Sequence, residues 1–548
     1  MTKIVLSAIN SKYVHTNLAI RKISAYLVQN GATCRICEYS GNDEIMRVAA
    51  DIAGGGADIA GFSCYIWNID YTLRLAEILK KADSNIKIVL GGPEASYNRD
   101  RILQNCSFVD AIIVGEGEKA WLDIYKNGVT EKIIFGENTD MDSMPFPYCY
   151  KDFAEPDRIF YYESSRGCPF ACSYCLSSAD RHIKYKSLEN VFADLDIFAK
   201  HNVRLVKFVD RTFNSDEERS IKILEYILSL DCRTEFHIEL EAAIVSDRFI
   251  DILKKFPKNK LRVEVGLQSS NPDTLRAVNR SPKTDILGKN AKKIVSQTNV
   301  TLHLDLIAGL PLETVDIFRN SFDFAFSLSP HELQLGFLKV LPGTQIEKDA
   351  GKFGILYSSS APYEVISTFD MSFGDISHLK DVEAALDMYH NSGILKFCEN
   401  VFLDHFGSAF DFFDALATYL KGIGELTAAH HRTKLFGYIC DFAKTLNICN
   451  REFLLLLAKD YFISCTGAPF PSWLKKGDIL LSKQKIHEIL FCDEVLDGVP
   501  FVKNTTPKDR HKHVRIENLF NMVWLISNKD KNIVDISNYF LLDNQKKM

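Results

Sequence analysis

Between Glu163 and Ser178 the chain reads ESSRGCPFACSYCLSS, with Cys168, Cys172 and Cys175 in the order C-x3-C-x2-C. Three thiols so close together must share one loop, and in a reducing setting they suit a soft metal centre. Three rather than four fits a 4Fe-4S cluster with one iron left open. A zinc site would want a fourth ligand from a second C-x2-C or H-x3-H pair, and none follows within the next 50 residues. A chance grouping stays open as an alternative, since the chain has 14 cysteines. The apolar run Ile159 to Tyr162 precedes the cysteines and a helical pattern follows, as expected of a strand-to-helix loop.

The run Gly167-Cys168-Pro169-Phe170 and the aromatic Tyr174 before the last cysteine resemble the signature of the radical S-adenosylmethionine (SAM) enzymes. The resemblance implies that Cys168, Cys172 and Cys175 are the metal ligands and the catalytic core. It implies that the open iron chelates SAM, and that one electron cleaves SAM to a 5′-deoxyadenosyl radical.

The rest of the chain must house that centre. Its 548 residues are enough for about three domains, and 46% hydrophobic with 25% charged residues is ordinary for a globular protein. The net charge, 65 − 71 = −6, gives no general attraction to nucleic acid or anionic membrane. MTKIVLSAIN reads as a short strand rather than a signal peptide, and no apolar stretch is long enough for a membrane span. Cysteines scattered without regular pairing read as reduced thiols, so the expected setting is a reducing, oxygen-poor cytoplasm with no membrane partner.

Residues 1 to 140 alternate apolar runs with amphipathic ones. Strands are expected at Lys3 to Ala8, Thr33 to Tyr39, Ile59 to Ser63, Ile86 to Leu90 and Ala111 to Val114, with helices including Asn17 to Gln29 and Tyr71 to Lys80. That rhythm predicts an α/β, doubly wound, Rossmann-like domain whose ligands lie at the carboxyl ends of the strands. Plain turns would use the same glycines. GFSCYIWN, LGGPE and VGEGE, in that order, are similar to the cobalamin-binding domain at the amino terminus of many radical SAM proteins. The similarity implies cobalamin contacts at Asn10, Ser63, Tyr65, Gly91, Gly92, Glu94, Glu116 and Gly117. No Asp-x-His-x-x-Gly supplies a lower axial histidine, which is usual in that branch. His15, after the first strand, reads as a helix-start or surface histidine. Cys34 and Cys37 fall within one strand on opposite faces and read as packing.

Gly136 to Asp157, with three prolines, reads as a linker, bounded at 141–157. From 158 to 350 six strand–helix units follow: Ile159 to Glu163, Leu205 to Val209, Glu235 to Glu241, Arg262 to Gln268, Thr301 to Ile307 and Glu332 to Val340. They predict a partial (β/α)6 barrel. Ser215 with Glu218 reads as a capping box. Phe236, Ile238 and Leu240 share one strand face, while His237, Glu239 and Glu241 share the other. Val263, Val265 and Leu267 oppose Glu264, Gly266 and Gln268 in the same way, and Leu302, Leu304 and Leu306 oppose His303 and Asp305. A buried parallel sheet should be apolar on both faces. The lumen is therefore polar, either as a self-satisfied salt-bridge network or as a binding surface for SAM and substrate. The resemblance implies SAM contacts at Asp210, Glu239, Gln268 and Ile307, with Phe170 and Tyr174 supporting the adenine. Arg211, Arg276 and Arg280 could pair with lumen carboxylates or solvate a surface. His237 and His303 read as satisfied core histidines.

Residues 360–548 read as a mainly helical domain with phenylalanine on one face, and resemble a domain of unknown function attached to one subgroup of these proteins. The basic run from Lys503 to Arg515 fits a solvated turn or strand edge as well as a nucleic-acid patch. The expectation is a cobalamin-dependent radical SAM enzyme that transfers methyl to an unactivated carbon. Other radical rearrangement or cyclisation, and a non-catalytic sensor, are the alternatives. The expected partners are a substrate that could be a small molecule, a peptide or RNA, and an electron donor such as flavodoxin or ferredoxin.

Overall fold

A computed structural model describes residues 2–479, 481–527 and 529–539, in two compact units that divide between Ser377 and His378. The first unit holds two parallel sheets. β1 (Ile4–Asn10), β2 (Cys34–Ser40), β3 (Ile59–Ser63), β4 (Lys87–Gly91), β5 (Ala111–Gly115) and β6 (Ile133–Gly136) lie in the order β2-β1-β3-β4-β5-β6. The chain leaves β1 toward β2 on one side and continues through β3 on the other, which opens a crevice at the strand ends. β1 is buried at all seven positions because helices cover both faces. Cys37 lies in the core of one face and Cys34 packs against the core of the other, as period-two alternation requires. Asn17 caps the helix Leu18–Gln29 by accepting from the Ile20 N–H at 3.1 Å. β6 was not among the expected strands; four residues at a sheet edge carry too little alternation to stand out.

The presumed linker is packed rather than loose. Tyr148 is buried, its ring meets Phe160 and Phe198 edge-on, and its hydroxyl donates to the Tyr161 carbonyl at 2.8 Å. Aromatic residues among the prolines anchor the segment to the second sheet.

That sheet is formed by β7 (Ile159–Tyr162), then, beyond a small hairpin of β8 (Ser165–Arg166) and β9 (Lys184–Tyr185), by β10 (Leu205–Phe208), β11 (Glu235–Leu240), β12 (Leu261–Gln268), β13 (Thr301–Ala308) and β14 (Glu332–Phe337). The order β14-β13-β12-β11-β10-β7 is parallel throughout, and β12 and β13 alternate between full and partial burial. The helix Glu217–Ser229 is capped by Asp216, which accepts from the Arg219 N–H at 3.1 Å, and not by Ser215. The helix starts one residue later than the capping-box spacing suggests, and Ser215 ends a separate turn, Phe213–Ser215.

The second unit is mainly helical. Helices Glu399–Phe406, Ala409–Gly422, Arg432–Thr445 and Arg451–Ser464 bury Phe402, Phe412, Phe442 and Phe453 against one another. It also contains an antiparallel sheet of Val514–Leu519, Met522–Ser527 and Asn532–Asp535, which the helical reading of this region did not include. The basic run is largely spent on local partners. Arg510 is buried and donates to the carbonyls of Leu490 and Lys503, while Lys503, Lys512 and Arg515 pair with Asp497, Asp509 and Glu517. Among the described residues no helix is long and apolar enough to cross a membrane.

Candidate functional site

The hairpin β8–β9 brackets the cysteine loop. Gly167 opens it at φ +107°, and a Cβ there would stand 2.4 Å from the His182 carbonyl oxygen, so the turn closes only on glycine. Cys168 and Cys172 are buried and Cys175 is half-buried. Cys168 Sγ lies 3.5 Å from Thr212 Oγ1, and Arg280 Nη1 lies 3.7 Å from Cys172 Sγ. Burial pushes the Cys172 thiol up, Arg280 opposes this, and the neighbouring Cys175 and Cys168 add to it. Among the described residues no three metal-ligating side chains gather around one point as a single ion would require. Three thiols on one loop suit a 4Fe-4S cluster in which each thiolate binds its own iron and one iron stays open. Phe170 and Tyr174, on the same loop, are half-buried.

The polar face of the second sheet holds two sets of groups. In the first, Lys207 Nζ lies 3.0 Å, and His237 Nε2 2.9 Å, from Glu264 Oε2. Arg262 pairs with Glu235 at 2.8 Å, and His303 lies 3.7 Å from Glu332. Against the effect of burial, His237 and Lys207 hold the Glu264 carboxyl well below its ordinary range. These groups pair by charge, while His237 Nε2, close as it is to Glu264, has no hydrogen-bond partner.

The second set is less completely paired. Burial raises Glu239 to about 7, with Arg211 opposing and Glu264 adding. Asp305 is pushed well above the usual carboxylate range by burial and by Glu264 and Glu239, and its Oδ1, 3.4 Å from His303 Nε2, makes no hydrogen bond. Gln268, at φ +67° on a bulge, buries an equally unpartnered Oε1, and Ile307 is half-buried on the next strand. Buried polar atoms left unpaired in a concave surface are what a bound ligand would complete. Asp210 is placed differently. It is buried and accepts from the Ser164 N–H at 2.8 Å and the Ser165 hydroxyl at 2.9 Å, while its neighbour Arg211 reaches the cavity above. Arg280 is half-buried and holds Glu241 at 3.2 Å, whereas Arg276 is exposed and pairs with Asp273.

A cavity of about 770 Å³ lies between the strand ends of the two sheets. Of the residues singled out for the first domain, Asn10, Tyr65, Glu116 and Gly117 line it. Ser63, Gly91, Gly92 and Glu94 do not. Ser63 lies under Asn17, and the Gly91 carbonyl accepts from the Cys64 N–H at 2.7 Å. At φ +96°, a Cβ on Gly92 would meet the Cys64 carbonyl oxygen at 2.6 Å. Glu94 is buried against Tyr363 and Asn98.

The lining residues not singled out as contacts include His15, Trp67, Tyr161 and Arg211. Trp67 belongs to the same motif as Tyr65 and stacks on it at 4.3 Å, yet is 57% exposed. That exposed flat ring beside the cavity suits a large planar ligand, and the position of Trp67 within GFSCYIWN was the available signal. His15 Nδ1 lies 2.7 Å from the Tyr161 hydroxyl, a pairing across 146 positions that no local pattern encodes.

Three family models match in series. Residues 4–124 match the B12 binding domain, 162–325 the radical SAM superfamily and 351–538 a protein family of unknown function, DUF4080. The chain joins a B12-binding domain to a radical SAM domain. The radical SAM domain implies a 4Fe-4S cluster and SAM, and the B12-binding domain implies cobalamin; the thiol loop, the incompletely paired lumen and the aromatic-walled cavity fit them. Enzymes of the radical SAM superfamily need a reductant and act on a substrate.

The cobalamin-dependent radical SAM methyltransferase TokK of Streptomyces tokunonensis is 25% identical over 329 residues, 53% of this chain and 48% of TokK. The chain spans about half the length of the first curated relatives it matches. The fold is shared with OxsB, solved with aqua-cobalamin and SAM, at TM-score 0.58 and 13% identity over 84% of this chain and 79% of OxsB. It is shared too with TsrM of Kitasatospora setae, at TM-score 0.55 and 14% identity over 66% of this chain and 80% of TsrM.

Proposed function

We propose that the protein is a cobalamin-dependent radical SAM enzyme that transfers a methyl group to an unactivated carbon of its substrate. The observation that carries this is the single cavity whose walls are the strand ends of the B12-binding domain and the base of the three-cysteine loop. The names of its relatives agree with it. When bound, the cluster and SAM supply a radical that activates carbon, and cobalamin supplies the methyl group.

In this reading Cys168, Cys172 and Cys175 hold the cluster. Glu239, Gln268 and Ile307 present the incompletely paired part of the lumen to SAM, Phe170 and Tyr174 cover its adenine, and Asp210 fixes the loop that follows β7. Asn10, Tyr65, Glu116 and Gly117 face cobalamin, while Ser63, Gly91, Gly92 and Glu94 shape the strand ends beneath it. Rigid elements carry both sets, so the reacting groups keep one geometry. Domains of 1–140 and 158–350, joined by 141–157, do this work, and 360–548 forms an accessory domain. The substrate is a small molecule, a peptide or an RNA base, and a flavodoxin or ferredoxin in the cytoplasm supplies electrons.

The test is anaerobic reconstitution followed by reduction with dithionite in the presence of SAM. Cobalamin absorbance on the purified chain and release of 5′-deoxyadenosine are the expected results. A chain that binds no cobalamin removes the reading. Once a substrate is in hand, methyl-labelled SAM must leave its label in the product; an unlabelled product would assign the site to rearrangement or cyclisation.

A further inference from the structure

The VGEGE motif ends β5, and both of its carboxylates point at the cysteine loop rather than into open space. Arg166, two residues before Cys168, donates to all of its acidic neighbours. Its Nη1 lies 3.1 Å from Glu116, its Nη2 lies 3.0 Å from Glu118 and 2.8 Å from Glu163, and its Nε lies 3.0 Å from Glu163. Lys184, on the other strand of the hairpin, also reaches Glu116, and Lys22 reaches Glu163. Glu116 further accepts from the Thr139 N–H at 2.6 Å. Both ends of the loop 167–183 are thereby fastened to the B12-binding domain. The Arg166 side chain is 22% exposed and that of Glu118 5%, so these pairs are shielded, unlike surface ion pairs, and the pair with Glu163 is bidentate as well.

We propose that Glu116 and Glu118 are positioning residues for the cysteine loop, and that through Arg166 and Lys184 they fix the distance between the cofactor face of the first domain and the three thiols. The proposal rests on the radical SAM reading for what the loop holds. It gives the motif a second role: Glu116 and Gly117 line the cavity, yet the Glu116 carboxylate is spent on the loop and not on the cavity's contents. A guanidinium fork suits the task because it meets several carboxylates in a fixed geometry, where an ammonium would act as a point charge. With the fork removed, buried Glu118 and half-buried Glu116 and Glu163 would face one another with Lys22 and Lys184 as their remaining cations.

The test uses the full chain in two arms. Without any cofactor, hydrogen–deuterium exchange compares wild type with Glu116→Gln, Glu118→Gln, the double variant and Arg166→Lys. Amides of residues 167–183 are expected to exchange about tenfold faster in the double variant, with β1 and β3 as protected as in wild type. Arg166→Lys is expected to fall between the two. After cluster reconstitution, the double variant is expected to hold wild-type iron. The electron paramagnetic resonance line shape of its reduced, SAM-bound cluster is expected to change.

Unchanged exchange together with an unchanged signal overturns the proposal. Lost protection throughout the first sheet would assign the carboxylates to folding and overturn it equally. A chain that binds no cobalamin yet shows the exchange difference removes the parent reading and leaves the latch standing.

Discussion

β1 of the first sheet is buried at every position, whereas β12 of the second alternates buried apolar residues with half-buried Glu264, Gly266 and Gln268. Both sheets are parallel, and both put their functional residues at or beyond strand ends. The first is covered on both faces, so it can offer a ligand only its rim. The second closes around one polar face and offers its interior, at the cost of carboxylates that burial drives toward protonation. The rim carries carboxylates that basic partners hold low, as at Glu116, where Arg166 and Lys184 outweigh burial. The lumen also holds Glu264 low, through His237 and Lys207, but beside it burial holds Glu239 and Asp305 high.

The comparison breaks outright if the loop between the two sheets is dispensable. Replacing any one of Cys168, Cys172 or Cys175 by alanine is expected to abolish the cluster and SAM cleavage while the first sheet stays folded. Iron analysis and assay of 5′-deoxyadenosine check this, and cleavage retained in all three variants would refute it.

The next effect separates the sheets by their glycines. A Cβ on Gly61, in β3, would stand 2.3 Å from the buried Trp121 ring and 2.9 Å from Leu6. Gly61→Ala is expected to destabilise the first domain by about 1–3 kcal/mol, seen in denaturant unfolding, because a core packed on both faces has no room to yield. A Cβ on Gly266, in β12, would meet the end of the Gln268 side chain at 2.1 Å. That amide can swing aside, so Gly266→Ala is expected to spare stability and weaken SAM binding in a calorimetric titration. Equal loss of stability in both variants would erase the distinction between rim and lumen.

A third test uses pH. The Glu239 pKa is raised in the fold, so its contribution is fully present below the ordinary carboxylate value and is lost as pH rises through about 7. Unfolding free energy of the wild type is expected to fall over that window, and Glu239→Gln to flatten the fall. An identical slope in the variant would mean that Glu239 does not titrate there.

The same contrast accounts for what the sequence could show. The second sheet was legible as a polar lumen because Phe236, Ile238 and Leu240 alternate with His237, Glu239 and Glu241 in a period that a strand must express. Its pairing was not, because which lumen residues satisfy one another depends on register. Glu239 opposes Glu264 on the neighbouring strand, and Lys207 reaches Glu264 across 57 positions. In the first sheet the motif loops marked the rim, and Asn10, Tyr65, Glu116 and Gly117 do line the cavity. The motifs could not tell a glutamate facing a cofactor from one facing Arg166, nor reveal that Gly92 answers to the Cys64 carbonyl. Ser215 lost its predicted capping role to Asp216 by a single residue, the scale on which helix starts are decided by local turns.

The smallest expected effect is the mirror of Glu239. Asp110, at the opposite end of the first sheet from the cavity, accepts from the Ile88 N–H at 2.8 Å, from Lys80 at 2.9 Å and from Lys87 at 3.2 Å. Burial would raise its carboxyl, but Lys80, the Ile88 amide and Lys87 together hold it below its ordinary value. A depressed pKa contributes stability that is present above the unfolded-state value and is lost as pH falls through the folded one. Solvent reaches the cluster, with Lys87 half-exposed, so the loss in Asp110→Asn at pH 7 is expected to stay under about 1 kcal/mol. The difference between variant and wild type should shrink on acidification, opposite in sign to the Glu239→Gln trend. Slopes of the same sign in the two variants would mean that the carboxylates of rim and lumen are held by the same forces, and the contrast between the two sheets would fail on its electrostatic side.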